Sequence, residues 1–237
     1  MDSYKKYVAE LLGTFMLVFI GAGAICADYY LKMAGGQGIG LIGISAAFGF
    51  VVVAAIYATS YISGSHINPA VTVSFWVNKR MDANTAIFYI VSQLLGATIA
   101  GYFLKILFPD AVSTVFLGTC ALGAGVGVKR AVFMEAIVSF LFVFTIYATA
   151  VDRRASKTLA GVAIGLVYLF GILVATTISG GALNPARVFG PAMASGHFDY
   201  HFVWWFGPII GGVLAGLLYD NVFSEKVVER KSSTARK

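Results

Sequence analysis

Of the 237 residues, 59% are hydrophobic and only 12% are charged, about half the charged share of an ordinary soluble domain. With a mean hydropathy of +0.83, this composition excludes a water-soluble enzyme or binding module and points to an integral membrane protein. The formal charge of +6 is not a nucleic-acid signature, because the basic residues sit at the ends of apolar runs and in the C-terminal tail. Cys26 and Cys120, the two cysteines, make neither a disulfide framework nor a metal-ligand spacing.

Taken in chain order, six apolar runs predict spanning helices over 7–29, 39–61, 85–107, 131–151, 159–178 and 202–219, each near the ~20 residues that cross a bilayer. The first is long enough to span and does not end in a small-residue cleavage site, so it reads as a retained helix and not a signal peptide. Gly35 to Gly38 and the weakly polar stretch 109–129 read as connections. Arg153, Arg154 and Lys157 interrupt the chain between the fourth and fifth runs, and a charged tail occupies 224–237. The fold class is an all-α membrane protein, one channel-sized domain over 1–237.

After the second and fifth runs come two stretches that are versions of each other. The first is Ser63-Gly64-Ser65-His66-Ile67-Asn68-Pro69-Ala70; the second is Ser179-Gly180-Gly181-Ala182-Leu183-Asn184-Pro185-Ala186, with Arg187 next. Asn is a strong N-cap and Pro suits the first helical position. Each stretch therefore reads as extended, Gly-containing backbone that turns into a short helix at the Asn. The helices so opened, over 71–76 and 188–193, are too short to span. Irregular backbone at membrane depth must line a cavity or be buried in protein.

The two halves, about 1–125 and 126–223, echo each other beyond these boxes. Ala9-Glu10 with Thr14-Phe15 and Phe19 returns as Met134-Glu135 with Ser139-Phe140 and Phe144. Gln93-Leu94-Leu95-Gly96-Ala97 returns as Pro208-Ile209-Ile210-Gly211-Gly212. Three spans per half require the second half to insert upside down, giving an inverted repeat with its site near the midplane. Lys5, Lys6, Lys79, Arg80, Arg153, Arg154, Lys157 and the tail outnumber Lys32, Lys105, Lys129 and Arg130 on the other side, so both termini are expected to be cytoplasmic. Half-helices meeting end to end would aim two positive N-termini at one point. A water held there by both Asn amides could not relay a proton, and cations would be repelled. The backbones of Gly64, Ser65, His66 and Ile67, and of Gly180, Ala182 and Leu183, would offer carbonyls to passing water.

The duplicated Ser-Gly-x-x-x-Asn-Pro-Ala box, the second followed by Arg, resembles the signature of the aquaporin (major intrinsic protein) family. The likeness runs from Tyr7 to about Tyr219. It implies six transmembrane helices plus two re-entrant half-helices, with Asn68, Pro69, Ala70, Asn184, Pro185 and Ala186 as the central pore motifs. It also implies a passive water channel and no enzyme, with low permeability to glycerol and other small neutral solutes, closed to protons and ions. An aquaglyceroporin-type channel or a facilitator of neutral gases and small solutes is the alternative. An ion-coupled transporter is a more distant one, because Glu10 and Glu135 have no basic mate at their depth. The family uses such glutamates to accept backbone N–H bonds from the re-entrant loops. The resemblance further implies a homotetramer in the cell (plasma) membrane, with lipid, water and small neutral solutes as partners, no cofactor, no metal and no nucleic acid.

Four family positions build a selectivity filter: twenty residues before the first Asn, then twelve before, three before and three after the second. Here they are Phe48, Ile172, Gly181 and Arg187. Ile172 stands where water-strict members carry His, and Gly181 where many carry Cys. This pattern is similar to archaeal aquaporins and is expected to widen the opening, whereas Val188, Ala192 and Trp204-Trp205 lean towards water. With Gly181 in the filter and Cys26 and Cys120 placed in other regions, mercuric ion is not expected to block the pore. His66 reads as a packed ring beside pore-side backbone. His197 and His201 have i, i+4 spacing but lie beside Gly196 and Asp199 in a loop with no Cys or second carboxylate nearby, so they read as a solvated loop and not a metal site. Trp204 and Trp205 read as partly an interface belt.

Overall fold

The structure, a computed structural model, describes residues 3–225; of the predicted tail, 226–237 lie outside the described residues. Helices make up the framework: α1 (Ser3–Met33), α2 (Gly40–Ser63), α3 (Pro69–Val77), α4 (Ala83–Leu107), the short α5 (Ala111–Thr114), α6 (Val128–Ile146), α7 (Ala160–Ser179), α8 (Pro185–Ser195) and α9 (Val203–Leu218). A single π-helical turn extends α6 over Tyr147–Val151 and α9 over Tyr219–Phe223. Among the described residues six helices are long and apolar enough to cross a membrane. This is a multi-pass membrane protein. Helix α1 outruns its predicted end because Lys32 pairs with Asp28 one turn back, at 2.8 Å, a favourable charge placement near a helix C-terminus.

Packing repeats in the two halves. Helix α1 lies on α4 and α2, α6 lies on α9 and α7, and α2 meets α7 across the middle. A Cβ on Gly96 would fall 2.1 Å from the carbonyl oxygen of Leu11, and one on Gly211 would fall 2.1 Å from that of Ala136. So α4 meets α1, and α9 meets α6, backbone to backbone at matched places. Small residues bring membrane helices together in this way, where no hydrophobic drive exists between them. The short helices are wedged into the bundle, α3 against α9 and α4, α8 chiefly against α4, and most of their residues are buried. Outside, large apolar side chains such as Ile42, Phe50, Tyr61, Ile106 and Phe133 stand exposed, as a lipid environment demands.

Polar contacts mark the two ends of the bundle. At one, Arg80 donates twice to Asp220, at 2.8 and 2.6 Å. Arg154 there donates to Asp152, at 3.0 and 2.6 Å, and to the Phe223 carbonyl, at 2.7 Å. At the other, Lys105 donates to the Ala194 carbonyl at the end of α8, and Asp28 accepts the Gly40 N–H, both at 2.8 Å.

Candidate functional site

Asn68 caps α3 and Asn184 caps α8. Asn68 Oδ1 accepts the Ala70 N–H at 2.8 Å, and Asn184 Oδ1 accepts those of Ala186 and Arg187 at 2.9 and 3.3 Å. Each amide nitrogen then reaches across to the other box: Asn68 Nδ2 donates to the Leu183 carbonyl at 2.9 Å, and Asn184 Nδ2 to the Ile67 carbonyl at 2.8 Å. The boxes are tied together by this reciprocal pair. The sequence suggests amide donors that hold a water and does not show this tie. An NH2 group has two hydrogens, so the tie commits one from each Asn and leaves one.

Backbone preceding each Asn is not extended, as the sequence suggests, but repeatedly left-handed. Gly64 (φ 85°), Ser65 (51°) and Ile67 (44°) are matched by Gly180 (80°), Gly181 (65°) and Leu183 (55°). For a β-branched or bulky residue this region is strongly disfavoured. Such strain costs on the order of 1–3 kcal/mol and survives only where the surroundings over-determine it. Here they do. The Ile67 N–H donates to Glu10 Oε2 at 2.6 Å while the Ile67 carbonyl accepts Asn184; the Leu183 N–H donates to Glu135 Oε2 at 2.8 Å while the Leu183 carbonyl accepts Asn68.

Both glutamates are fully buried and compensated by donors. Glu10 also accepts from Ser63 Oγ, the His66 N–H and Gln93 Nε2, at 2.6, 2.9 and 2.8 Å. Glu135 also accepts from Ser179 Oγ and the Ala182 N–H, at 2.6 and 2.9 Å. Burying such groups without partners would be prohibitive; with them, each carboxylate becomes the post around which a loop is wound. Sequence reasoning missed the next supports. Tyr89 Oη donates to the Ser63 carbonyl at 2.7 Å, and Trp204 Nε1 to the Ser179 carbonyl at 2.8 Å. Tyr89 and Trp204 hold equivalent places, four residues before Gln93 and Pro208. Trp204, 1% exposed, is therefore a structural donor and no interface-belt residue. The repeat spacing could have found the pair, but Tyr and Trp share little beyond a donor at the end of a flat ring.

The four expected filter residues fall in two contacting pairs, Phe48 with Arg187 and Gly181 with Ile172. The Arg187 guanidinium lies over the Phe48 ring, 4.7 Å from its centroid, and a Cβ on Gly181 would stand 3.1 Å from Ile172 Cα. Arg187 is 1% exposed, and its NH1 donates to the Gly118 carbonyl at 2.8 Å. Gly118 belongs to the stretch that the sequence presents as a plain connection. Phe116, Leu117 and Gly118 are all left-handed (49°, 54° and 80°), and this turn packs on α8. Cys120 follows, its Sγ 3.4 Å from the Gly180 carbonyl. Its expected distance from the filter is thus wrong: the long connection folds back over α8 instead of staying outside.

His66 Nδ1 is 3.1 Å from Thr72 Oγ1, and its ring packs on Phe75 and Tyr89 at 4.5 and 5.3 Å. The loop with His197 and His201 is largely exposed, as expected, with Gly196, Phe198, Asp199 and Tyr200 open to the surface, but both histidine rings are half-buried against aromatic neighbours. His197 stacks on Phe116 with ring centres 3.8 Å apart, and His201 lies among Phe198, Phe189 and Trp204. Burial, with His197 nearby, pushes His201 below the ordinary histidine range. Among the described residues no group of three His, Cys, Asp or Glu could hold a metal ion.

A cavity of about 370 Å³ leads from Tyr57, Ser60 and Lys157 to Asn68 and Asn184. Leu17, Val52, Ile56, Phe142 and Ile164 give it apolar walls, while the chain from Gly64 to Asn68 supplies polar groups. Lys157 is the one formally charged side chain among its lining residues. An apolar passage with one polar seam, ending where two helix N-termini meet, is built to conduct small neutral molecules; fold and site define a membrane channel.

A model of the Major intrinsic protein family matches residues 1–219. The chain is 42% identical over 228 residues to Aquaporin TIP2-1 of Arabidopsis thaliana, spanning 94% of this chain and 89% of that one. It is 43% identical over 223 residues to Aquaporin TIP4-4 of Zea mays, spanning 92% and 86%. Among solved structures, the aquaglyceroporin from Plasmodium falciparum matches with a TM-score of 0.82 at 24% identity, over 93% of this chain and 97% of that one, a likeness of fold. The chain belongs to the major intrinsic protein family, within its aquaporins, which are channels and not enzymes. Both relatives named here are plant proteins.

Proposed function

We propose that this protein is a passive water channel, with low permeability to glycerol and other small neutral solutes, that excludes protons and ions. In this reading water files past the carbonyl-bearing loops, meets the free amide hydrogens of Asn68 and Asn184, and passes a constriction of Phe48, Ile172, Gly181 and Arg187. The observation that carries it is the reciprocal Asn tie, which fixes two positive helix N-termini against each other at the inner end of an apolar cavity. Relatives named aquaporin support water as the solute. Residues 1–125 and 126–223 act as the halves of an inverted repeat, supported by the matched Glu, Gly and donor positions. The excess of basic residues on the end that carries Arg80 and Arg154 supports cytoplasmic termini. The cell membrane as location, and a homotetramer in lipid with one pore per protomer, rest on the family resemblance. The experiment is stopped-flow shrinkage of proteoliposomes alongside a pH-sensitive dye. Rapid water flux without proton entry is expected; proton conductance comparable with the water flux would refute the reading.

A further inference from the structure

We propose that Gly21 on α1 sets the aperture of this channel by serving as the seat of the Phe48 ring; the proposal rests on Phe48 belonging to the constriction. A Cβ built on Gly21 would lie 2.1 and 2.2 Å from Phe48 Cε1 and Cδ1, and 2.8 Å from Cζ. Carbon atoms in contact are separated by about 3.5–4.0 Å, so the edge of this ring rests directly on the α1 backbone. Elsewhere the ring is hemmed in by the Arg187 guanidinium, 4.7 Å from its centroid, and by the Tyr168 ring, 6.3 Å away. Phe48 is fully buried and has no solvent to move into. The absence of a side chain at position 21 therefore decides how far the ring edge lies back towards α1.

Even a methyl group at position 21 leaves two escapes. The ring moves roughly 1.5 Å away from α1, by the difference between carbon contact and the separation found, or α1 parts from α2. The first narrows the passage; the second loosens the bundle without reference to the ring. The constraint is local to this position. Two residues on, a Cβ on Gly23 would meet only the end of the Leu104 side chain, at 3.1 Å.

The test compares Gly21→Ala, Phe48→Val, Gly21→Ala with Phe48→Val, and Gly23→Ala, each reconstituted at measured protein density and assayed for water and glycerol flux. Gly21→Ala should lower glycerol permeability about tenfold and water less, in line with graded steric discrimination. Phe48→Val removes a wall of the constriction and is itself expected to be more open, so it is the reference for the double variant: in that background Gly21→Ala should change neither flux, because the smaller side chain leaves no clash. Gly23→Ala should keep the glycerol-to-water ratio of the parent. An unchanged ratio in Gly21→Ala, or an equal fall on adding it to Phe48→Val, would overturn the proposal. Should Gly21→Ala fail to fold, the double variant decides: folding and fluxes equal to those of Phe48→Val support the seat, and misfolding in both backgrounds shows a role in helix packing only. A parent protein without water flux would instead sink the channel reading, a result visible before any variant is made.

Discussion

Single residues at the proposed constriction carry two predictions. Cys120 sits 3.4 Å from the Gly180 carbonyl, next to Gly181, so a mercury adduct there would press on the loop that shapes the filter. Burial pushes its thiol up to about 12, with Arg187 nearby acting the other way. The thiolate is the reactive form, so attack at neutral pH should be slow and should quicken as pH rises. Water flux is expected to fall slowly under mercuric ion, with Cys120→Ser protected and Cys26→Ser not. Inhibition that survives Cys120→Ser would remove this role. Ile172 is 1% exposed, its backbone lies against Gly181, and in the proposed constriction its side chain would supply an apolar wall. Ile172→His should cut glycerol more than water, changing the ratio by about 1–3 kcal/mol in steric and desolvation terms. Parallel glycerol and water assays check it, and an unchanged ratio would place the constriction elsewhere.

Among elements, the two re-entrant loops are wound around Glu10 and Glu135. Replacing a carboxylate oxygen by NH2 in Glu135→Gln sets a donor against the Leu183 or Ala182 N–H, and an unsatisfied buried group costs about 1–3 kcal/mol. Thermal melting should show the loss, together with reduced water flux. Glu10→Gln should be milder, because Gln93 Oε1, which lacks a partner, can turn to accept the new amide. Equal melting losses would mean Gln93 does not adapt. The loop between α6 and α7 is held by Asp152, which accepts the Arg154 backbone N–H and guanidinium and the Tyr219 hydroxyl. The Arg154 bonds hold the Asp152 carboxyl well below the ordinary range. A depressed carboxylate stabilises above its unfolded value, ~3.9, and that contribution is lost as pH falls below it. Hydrogen-exchange protection in 152–159, measured against the intrinsic rate at each pH, should therefore be high at neutral pH and fall in strong acid. Asp152→Asn should show low protection at both, and an acid response that persists in this variant would point to another group.

At the scale of the whole molecule, exclusion is distributed along the path. Lys157 stands at the mouth of the cavity, two helix N-termini face each other behind it, and Arg187 lies near the far end. Positive potential recurs at each level, so removing one charge should weaken cation exclusion only in part. Assembly is a separate matter. Large apolar side chains are exposed around the bundle, where lipid and copies of the chain would cover them. Light scattering of the detergent-solubilised protein is expected to give four protomers. A fully active monomer would remove the tetramer while leaving the pore within one chain intact.

Composition and local spacing by themselves determined the six spans, the two Asn-capped short helices and the halves' repetition. Each depends on neighbours in the chain: apolar run length, a capping side chain next to its helix, Pro at a first turn. The duplicated box also made the family legible and placed Phe48, Ile172, Gly181 and Arg187 on its pattern. Only the tertiary structure decided that Asn68 binds Leu183 and Asn184 binds Ile67, that Gly118 holds Arg187, and that Cys120 lies against Gly180. It alone decided that Ile67 and Leu183 are left-handed, since no local preference leads a bulky residue there and only Glu10, Glu135 and the opposite Asn hold it. It decided too that Phe48 rests on Gly21. These are contacts between distant segments, set by how closely helices approach, and nothing in the run of residues around either partner encodes that distance.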